Sequence, residues 1–121
     1  MNSYENGKQI REQMVGKEKS QEISDSLSDI APIIDEKVLL LFDENQKRSI
    51  ISMKQREMLT LTTLATQGDT SYQLDFHIQA SLNAGLTKEE IVEVFVHSLP
   101  YIGFPKTLNA IAVARKVFAT R

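Results

Sequence analysis

Two histidines, His77 and His97, are the side chains of this 121-residue sequence best suited to acid–base chemistry. An imidazole with an unperturbed pKa of about 6.5 has both protonation forms available near neutral pH. His77 lies in an apolar helical pattern, and Glu57 lies on the preceding predicted helix. In an antiparallel hairpin, Glu57 could orient or charge the imidazole of His77. His77 is therefore either a general acid or base, or a core-edge histidine with satisfied hydrogen bonds. Taken alone, the spacing of Glu57 favours a solvated acid in the first turn of its helix.

His97 follows Glu93 by four residues, so the two side chains share one helix face. A metal site would need a third and usually a fourth ligand. The candidates His77, Asp75 and Glu57 show no recognised metal-binding spacing. The pattern therefore favours a buried structural pair of Glu93 and His97, and no metal is predicted.

A corner of the chain from Tyr101 to Pro105 combines two aromatic rings with a glycine and a proline that restrict the backbone. It is either an ordinary turn between helices or the wall of an apolar pocket. In the second case Phe104 and Pro105 form the wall, and the Tyr101 hydroxyl anchors the ligand. The sequence contains no Gly-rich phosphate loop and no nucleophile elbow.

Composition limits the classes of function. Lys and Arg number 14 against 16 Asp and Glu, giving a net charge of −2, which argues against general affinity for nucleic acid or anionic membranes. No apolar run approaches the ~20 residues of a membrane span, and the first residues lack the apolar stretch of a signal peptide. With no cysteine there is no disulfide, thiolate metal site or thiol chemistry. We expect a cytoplasmic protein.

Helical periodicity dominates, and no strand is predicted, so the fold class is all-α. Residues 1–30 are polar and predict one or two short helices as an N-terminal extension. Residues 31–121 form the main helical part of what is predicted to be a single domain. Pro32 can begin the next helix, whose apolar stripe is predicted to comprise Ile34, Val38, Leu41 and Phe42.

Two capping boxes mark later helix starts. Ser52 and Gln55 begin a helix that runs to about Gln67, and Thr87 and Glu90 begin an apolar helix over residues 91–99. Between them, a helix begins after residues 69–70 and stops at Gly85, and a final helix covers about 105–119. Pro100 and Gly103 are predicted to end the apolar helix. Because that helix is apolar around nearly its whole circumference, we expect a homo-oligomer, although a central helix enclosed within a monomer would have the same pattern.

Three segments, residues 56–61, 83–94 and 101–105, occur in a specific order together with His77, Asn109 and Ala110. Together these residues resemble the carboxymuconolactone decarboxylase family, which is related to alkylhydroperoxidase D. The resemblance covers about residues 35–120 and implies a six-helix fold around a helical hairpin, assembled as trimers or hexamers. Family members of the decarboxylase branch act on 4-carboxymuconolactone, a reaction that strictly needs neither an organic cofactor nor a metal.

The peroxidase branch of the same group uses a Cys-x-x-Cys-x-x-x-His motif with a glutamate upstream. His77 matches the histidine, but Thr70 and Gln73 stand at the two cysteine positions. Glu57 matches the upstream glutamate only if one residue is inserted in the turn. Thiol peroxidase activity is excluded, because no thiol is available to form a sulfenic acid.

The resemblance to the decarboxylase branch implies His77 as proton donor, Glu57 as its orienting partner and Tyr101 as a donor to a substrate oxygen. The expected ligand is a small acid or lactone, and Arg56 and Lys106 are the candidate residues to offset its negative charge. The alternative is a non-enzymatic, oligomeric family member that binds a small ligand or is associated with stress.

Overall fold

The computed structural model describes residues 1–121 and consists of seven α-helices without a strand, which confirms the all-α class. The resemblance implied six helices. The chain forms two compact units, Met1–Ile51 and Ser52–Arg121. None of the helices is both long enough and apolar enough to cross a membrane.

The first unit contains α1 (Ser3–Val15), α2 (Lys17–Ser28) and α3 (Pro32–Lys47). Pro32 begins α3 as predicted. The unit extends to Ile51, because α3 packs against α1 and α2. Gly7 allows this packing, since a Cβ atom there would lie 1.9 Å from the carbonyl oxygen of Leu39.

The interior of the first unit is largely polar. The Arg11 side chain is buried and donates hydrogen bonds to Asp35 at 2.5 Å, Ser20 Oγ at 2.8 Å and Ser24 Oγ at 2.6 Å. Ile10 is one of only two large apolar residues buried in this unit, the other being Leu39. A guanidinium held by a carboxylate and two hydroxyls therefore occupies much of the space that an apolar core would fill.

The prediction that the apolar stripe of α3 faces the interior is wrong. Ile34 and Leu41 are 52% and 55% exposed, whereas Asp35, Leu39 and Asp43 face inward. The aspartates are buried because each has a polar partner on another helix, which the periodicity of apolar residues does not reveal.

The second unit contains α4 (Met53–Gln67), α5 (Ser71–Asn83), α6 (Lys88–Ile102) and α7 (Phe104–Phe118). Both predicted capping boxes are present, at Ser52 and at Thr87, and Gly68 ends α4 with a positive φ. These four helices pack around one apolar core, formed by Leu61, Ala65, Leu74, Ile78, Leu86, Ile91, Phe95, Ala110, Ala114 and Val117.

One prediction about α6 is wrong, because the helix continues through Pro100 and ends only at Gly103. The helix is not enclosed on all sides within the chain, since Val96 is 50% exposed. Proline lacks the N–H that would bond to the carbonyl four residues earlier, which is the carbonyl of Val96. Since Val96 lies on the exposed side, water can take the place of that missing donor.

Removing the N-cap of α6 gives a stability test. We expect Thr87→Ala to lower the free energy of unfolding by about 1 kcal/mol, because the Thr87 hydroxyl accepts from the Glu90 backbone N–H at 3.0 Å. Thr63→Ala is the control: that exposed threonine lies within α4 and caps nothing, so we expect no loss there. Thermal unfolding followed by circular dichroism at pH 7 measures both. Equal losses in the two variants would contradict the role of the cap.

The same cap has a pH dependence. The Thr87 backbone N–H donates to the Glu90 carboxylate at 2.9 Å and holds the pKa of Glu90 below its ordinary value. Because the pKa of Glu90 is lower in the folded state than in the unfolded state, the charged carboxylate stabilises the fold at pH values above its ordinary pKa. This stabilisation is lost as the pH falls through the folded-state pKa. Acidification below about pH 4 should therefore destabilise the wild type more than Glu90→Gln.

Candidate active site

The α4–α5 hairpin brings together two of the predicted site residues. His77 Nδ1 lies 2.8 Å from Glu57 Oε1 and 3.5 Å from Oε2. On α4, Glu57 shares the inward face with Leu61 and Ala65 at four-residue spacing, which carries its carboxylate toward α5. Glu57 is only 3% exposed. It is therefore not the solvated first-turn acid that its spacing alone favoured.

The contact with Glu57 sets the roles of the two ring nitrogens of His77. An ionised carboxylate only accepts hydrogen bonds, so Nδ1 carries a hydrogen and donates it. Nε2 makes no hydrogen bond within the chain, and the only buried side-chain polar atom without a partner is Thr107 Oγ1. Nε2 therefore reaches solvent, in agreement with the 18% exposure of the side chain. An imidazole oriented through Nδ1 and open at Nε2 can exchange a proton with a bound molecule.

Two neighbouring residues on α5 support this arrangement. The buried ring of Phe76 has its centroid 4.7 Å from that of the His77 imidazole, with an angle of 59° between the ring planes. Ser81 is fully buried and donates to the His77 carbonyl oxygen at 2.6 Å. Sequence reasoning did not single out Ser81, although its place one helical turn after His77 is a usable signal.

The predicted pocket wall lies on the surface. Tyr101 is 77% exposed and Phe104 is 67% exposed, where α6 meets α7. Pro105 is also exposed, and Arg56 is partly exposed beside Glu57 on α4. At these exposures Tyr101 and Phe104 do not enclose a ligand within one chain, so their role in binding stays a prediction.

The predicted buried pair of Glu93 and His97 is wrong, because both residues are exposed and no hydrogen bond joins them. The His97 ring instead lies 5.8 Å from the Tyr101 ring. Glu93 and His97 line a groove of about 590 Å³ between α4 and α6, together with Met58 and Leu59. No group of three or more His, Asp or Glu side chains in the chain is arranged to hold a metal ion.

A second, more polar cavity of about 370 Å³ lies at the turn between α4 and α5 and is bordered by Leu74, Lys106 and Asn109. Lys106 Nζ donates to the Thr66 carbonyl oxygen at 2.8 Å, which fixes the ammonium group beside this turn. Thr70, at the first of the two cysteine positions, donates its hydroxyl to the Leu64 carbonyl oxygen at 2.6 Å. The Thr70 side chain therefore stabilises the turn between α4 and α5.

The fold and the site define a small all-helical protein that holds an imidazole against a buried carboxylate. The chain belongs to the carboxymuconolactone decarboxylase family, whose pattern matches residues 37–116. This match confirms the resemblance and includes both Glu57 and His77. It begins within α3 and therefore extends over parts of both compact units.

Two relatives are named decarboxylases. The chain is similar to the 4-carboxymuconolactone decarboxylase of Acinetobacter baylyi, with 25% identity over 116 residues, or 95% of this chain and 86% of the relative. It is also similar to the nitrosuccinic acid decarboxylase of Metarhizium robertsii, with 33% identity over 70 residues, or 58% of this chain and 48% of the relative.

Proposed function

We propose that this protein catalyses the decarboxylation of a small carboxylic acid or lactone, or a closely related acid–base step, through Glu57 and His77. The observation that carries the proposal is the 2.8 Å contact between the buried Glu57 carboxylate and His77 Nδ1, which leaves Nε2 open. Family membership and the names of the two relatives favour decarboxylation over other acid–base reactions.

In the proposed reaction, the bond between the substrate carboxylate and its carbon breaks and CO₂ leaves. The electron pair stays on that carbon and delocalises into the lactone carbonyl. Protonated His77 then donates a proton from Nε2 to a carbon of the delocalised anion, and the neutral imidazole regains a proton from solvent. Glu57 accepts the hydrogen of Nδ1, orients the ring and stabilises its protonated form. The scheme requires no cofactor.

The proposed substrates are anions, so binding them requires positive charge. Arg56, beside Glu57, and Lys106, at the cavity bordered by Leu74, are the residues we assign to this role. The Tyr101 hydroxyl is assigned as a donor to the lactone oxygen, where negative charge develops. Phe104 and Pro105 would supply apolar contact to the substrate.

The test is CO₂ release from 4-carboxymuconolactone and, separately, from nitrosuccinic acid. We expect turnover of at least one of them by the wild type and a loss of about 10²-fold or more in kcat for Glu57→Gln. The amide keeps the size of the carboxylate but cannot stabilise a protonated imidazole.

The absence of CO₂ from both compounds, or unchanged turnover in Glu57→Gln, would contradict the proposal. Mass spectrometry of ligands released from the native protein then tests the alternative. A small acid or quinone-like compound that is retained but not converted would identify a non-enzymatic binding protein.

A further inference from the structure

The groove between α4 and α6, with a volume of about 590 Å³, has apolar walls formed by Met58, Leu59 and Val94. Met58 and Val94 pack against the core of the second unit, which holds the groove in place, while Leu59 is 59% exposed. All of the residues that line the groove lie in the second unit. The groove therefore offers apolar surface to a ligand, and covering that surface is favourable.

The two hydroxyl groups that line the groove can only accept hydrogen bonds from a ligand. Thr62 Oγ1 donates its hydrogen to the Met58 carbonyl oxygen at 3.1 Å, and Thr63 Oγ1 donates to the Leu59 carbonyl oxygen at 2.8 Å. A hydroxyl has one hydrogen, so only its lone pairs remain for a bound molecule. The α4 side of the groove therefore presents acceptors and apolar surface, but no side-chain donor.

The α6 side of the groove carries two carboxylates, those of Glu90 and Glu93. Glu90 accepts from the Thr87 backbone N–H through Oε1 only, and Glu93 is exposed and has no hydrogen-bond or ion-pair partner within the chain. Lys54 acts electrostatically on Glu90, but neither it nor any other lysine or arginine lines the groove. Of the lining side chains, only that of His97 can donate a hydrogen bond to a ligand. Charge and hydrogen-bonding capacity therefore both favour a cation that donates.

We propose that the groove between α4 and α6 binds a protonated organic amine with an apolar body. An ammonium group carries a positive charge and several donors but no acceptor, which complements the two carboxylates and the threonine lone pairs. The apolar body of the amine covers the apolar walls. An anion of the same shape would instead meet two like charges. The proposal does not depend on the catalytic role of Glu57 and His77, since the carboxylate of Glu57 is buried and turned toward α5.

Titration of the ¹⁵N-labelled protein with three compounds of nearly the same shape tests the selectivity of the groove. The compounds are phenethylammonium, which is cationic, 2-phenylethanol, which is neutral, and phenylacetate, which is anionic. We expect phenethylammonium at pH 7 to produce saturable amide shifts in residues 58–63 and 90–97. The alcohol should bind about tenfold more weakly, because it lacks the charge-assisted hydrogen bonds, and phenylacetate should produce no saturable shifts.

Two matched variants on α6 locate the amine. Glu93→Gln removes one charge from the groove, whereas Glu89→Gln removes one charge at an exposed position that does not line it. Glu90 is left intact because it belongs to the helix cap. We expect phenethylammonium to bind Glu93→Gln about threefold more weakly or worse, and Glu89→Gln as tightly as the wild type. Absence of saturable shifts with phenethylammonium, equal affinity for the alcohol, unchanged binding to Glu93→Gln, or equal weakening in both variants would overturn the proposal.

Discussion

Replacing His77 by glutamine is expected to lower kcat for decarboxylation by about 10²–10⁴-fold. Glutamine can still donate a hydrogen bond to the Glu57 carboxylate, which His77 contacts at 2.8 Å, so the hairpin should keep its packing. It cannot hold and release a proton near neutral pH. The loss in kcat is therefore due to impaired proton transfer rather than to misfolding. Steady-state CO₂ release measures kcat.

His97 provides the control, since the chain has only two histidines. His97 is exposed and has no carboxylate partner, so His97→Gln should leave kcat within about twofold of the wild type. Circular dichroism confirms that both variants are folded. If the two substitutions lower kcat equally, or if neither does, His77 is not the proton donor.

The second large effect concerns stability. Arg11→Met should lower the free energy of unfolding of the first unit by about 3–5 kcal/mol, because it leaves the buried Asp35 carboxylate without its cation. Methionine fills much of the volume of the arginine stem, so the loss is mainly electrostatic. Urea unfolding followed by the helical signal at 222 nm measures it.

The double variant Arg11→Met/Asp35→Leu separates the electrostatic loss from a packing defect. Removing both charges leaves no unpaired buried ion, and stability should return to within about 1–2 kcal/mol of the wild type. A loss below about 1 kcal/mol in Arg11→Met would show that the Asp35 carboxylate does not depend on the guanidinium. If the double variant is as unstable as Arg11→Met, the loss of stability comes from packing rather than from the unpaired charge.

Local sequence signals predicted most helix boundaries of the second unit. The capping boxes at Ser52 and Thr87 and the stop at Gly68 act within three or four residues, so they can be recognised without knowing the fold. Pro100 misled the prediction, because α6 tolerates it one turn before the helix ends. A proline near the end of a helix removes only one backbone hydrogen bond.

The orientation of α3 could not be predicted from the pattern of apolar residues. Its inward side is decided by partners that lie 24 and 37 residues away in the sequence, Arg11 for Asp35 and Asn6 for Asp43. Periodicity assigns charged residues to the solvent side, and here the charged residues form the interior. The missing information is the pairing between distant polar groups.

The candidate site shows the same limit. His77 and Glu57 were recognised by residue type and by family resemblance, but their spacing of 20 residues gave no sign that Glu57 is buried. The exposure of Glu93 and His97 was missed because a shared helix face does not say which way that face points. In both cases the sequence identified candidate residues, and only tertiary packing determined whether they are buried or exposed.

The polar interior of the first unit has a consequence for how its stability changes with temperature. Exposing apolar surface to water raises the heat capacity, and exposing polar surface lowers it. Ile10 and Leu39 are the only large apolar residues buried there, while Arg11, Ser20, Asp35 and Asp43 are also buried. The heat-capacity change of unfolding per residue should therefore be unusually small, and the stability of this unit should vary little between cold and warm conditions.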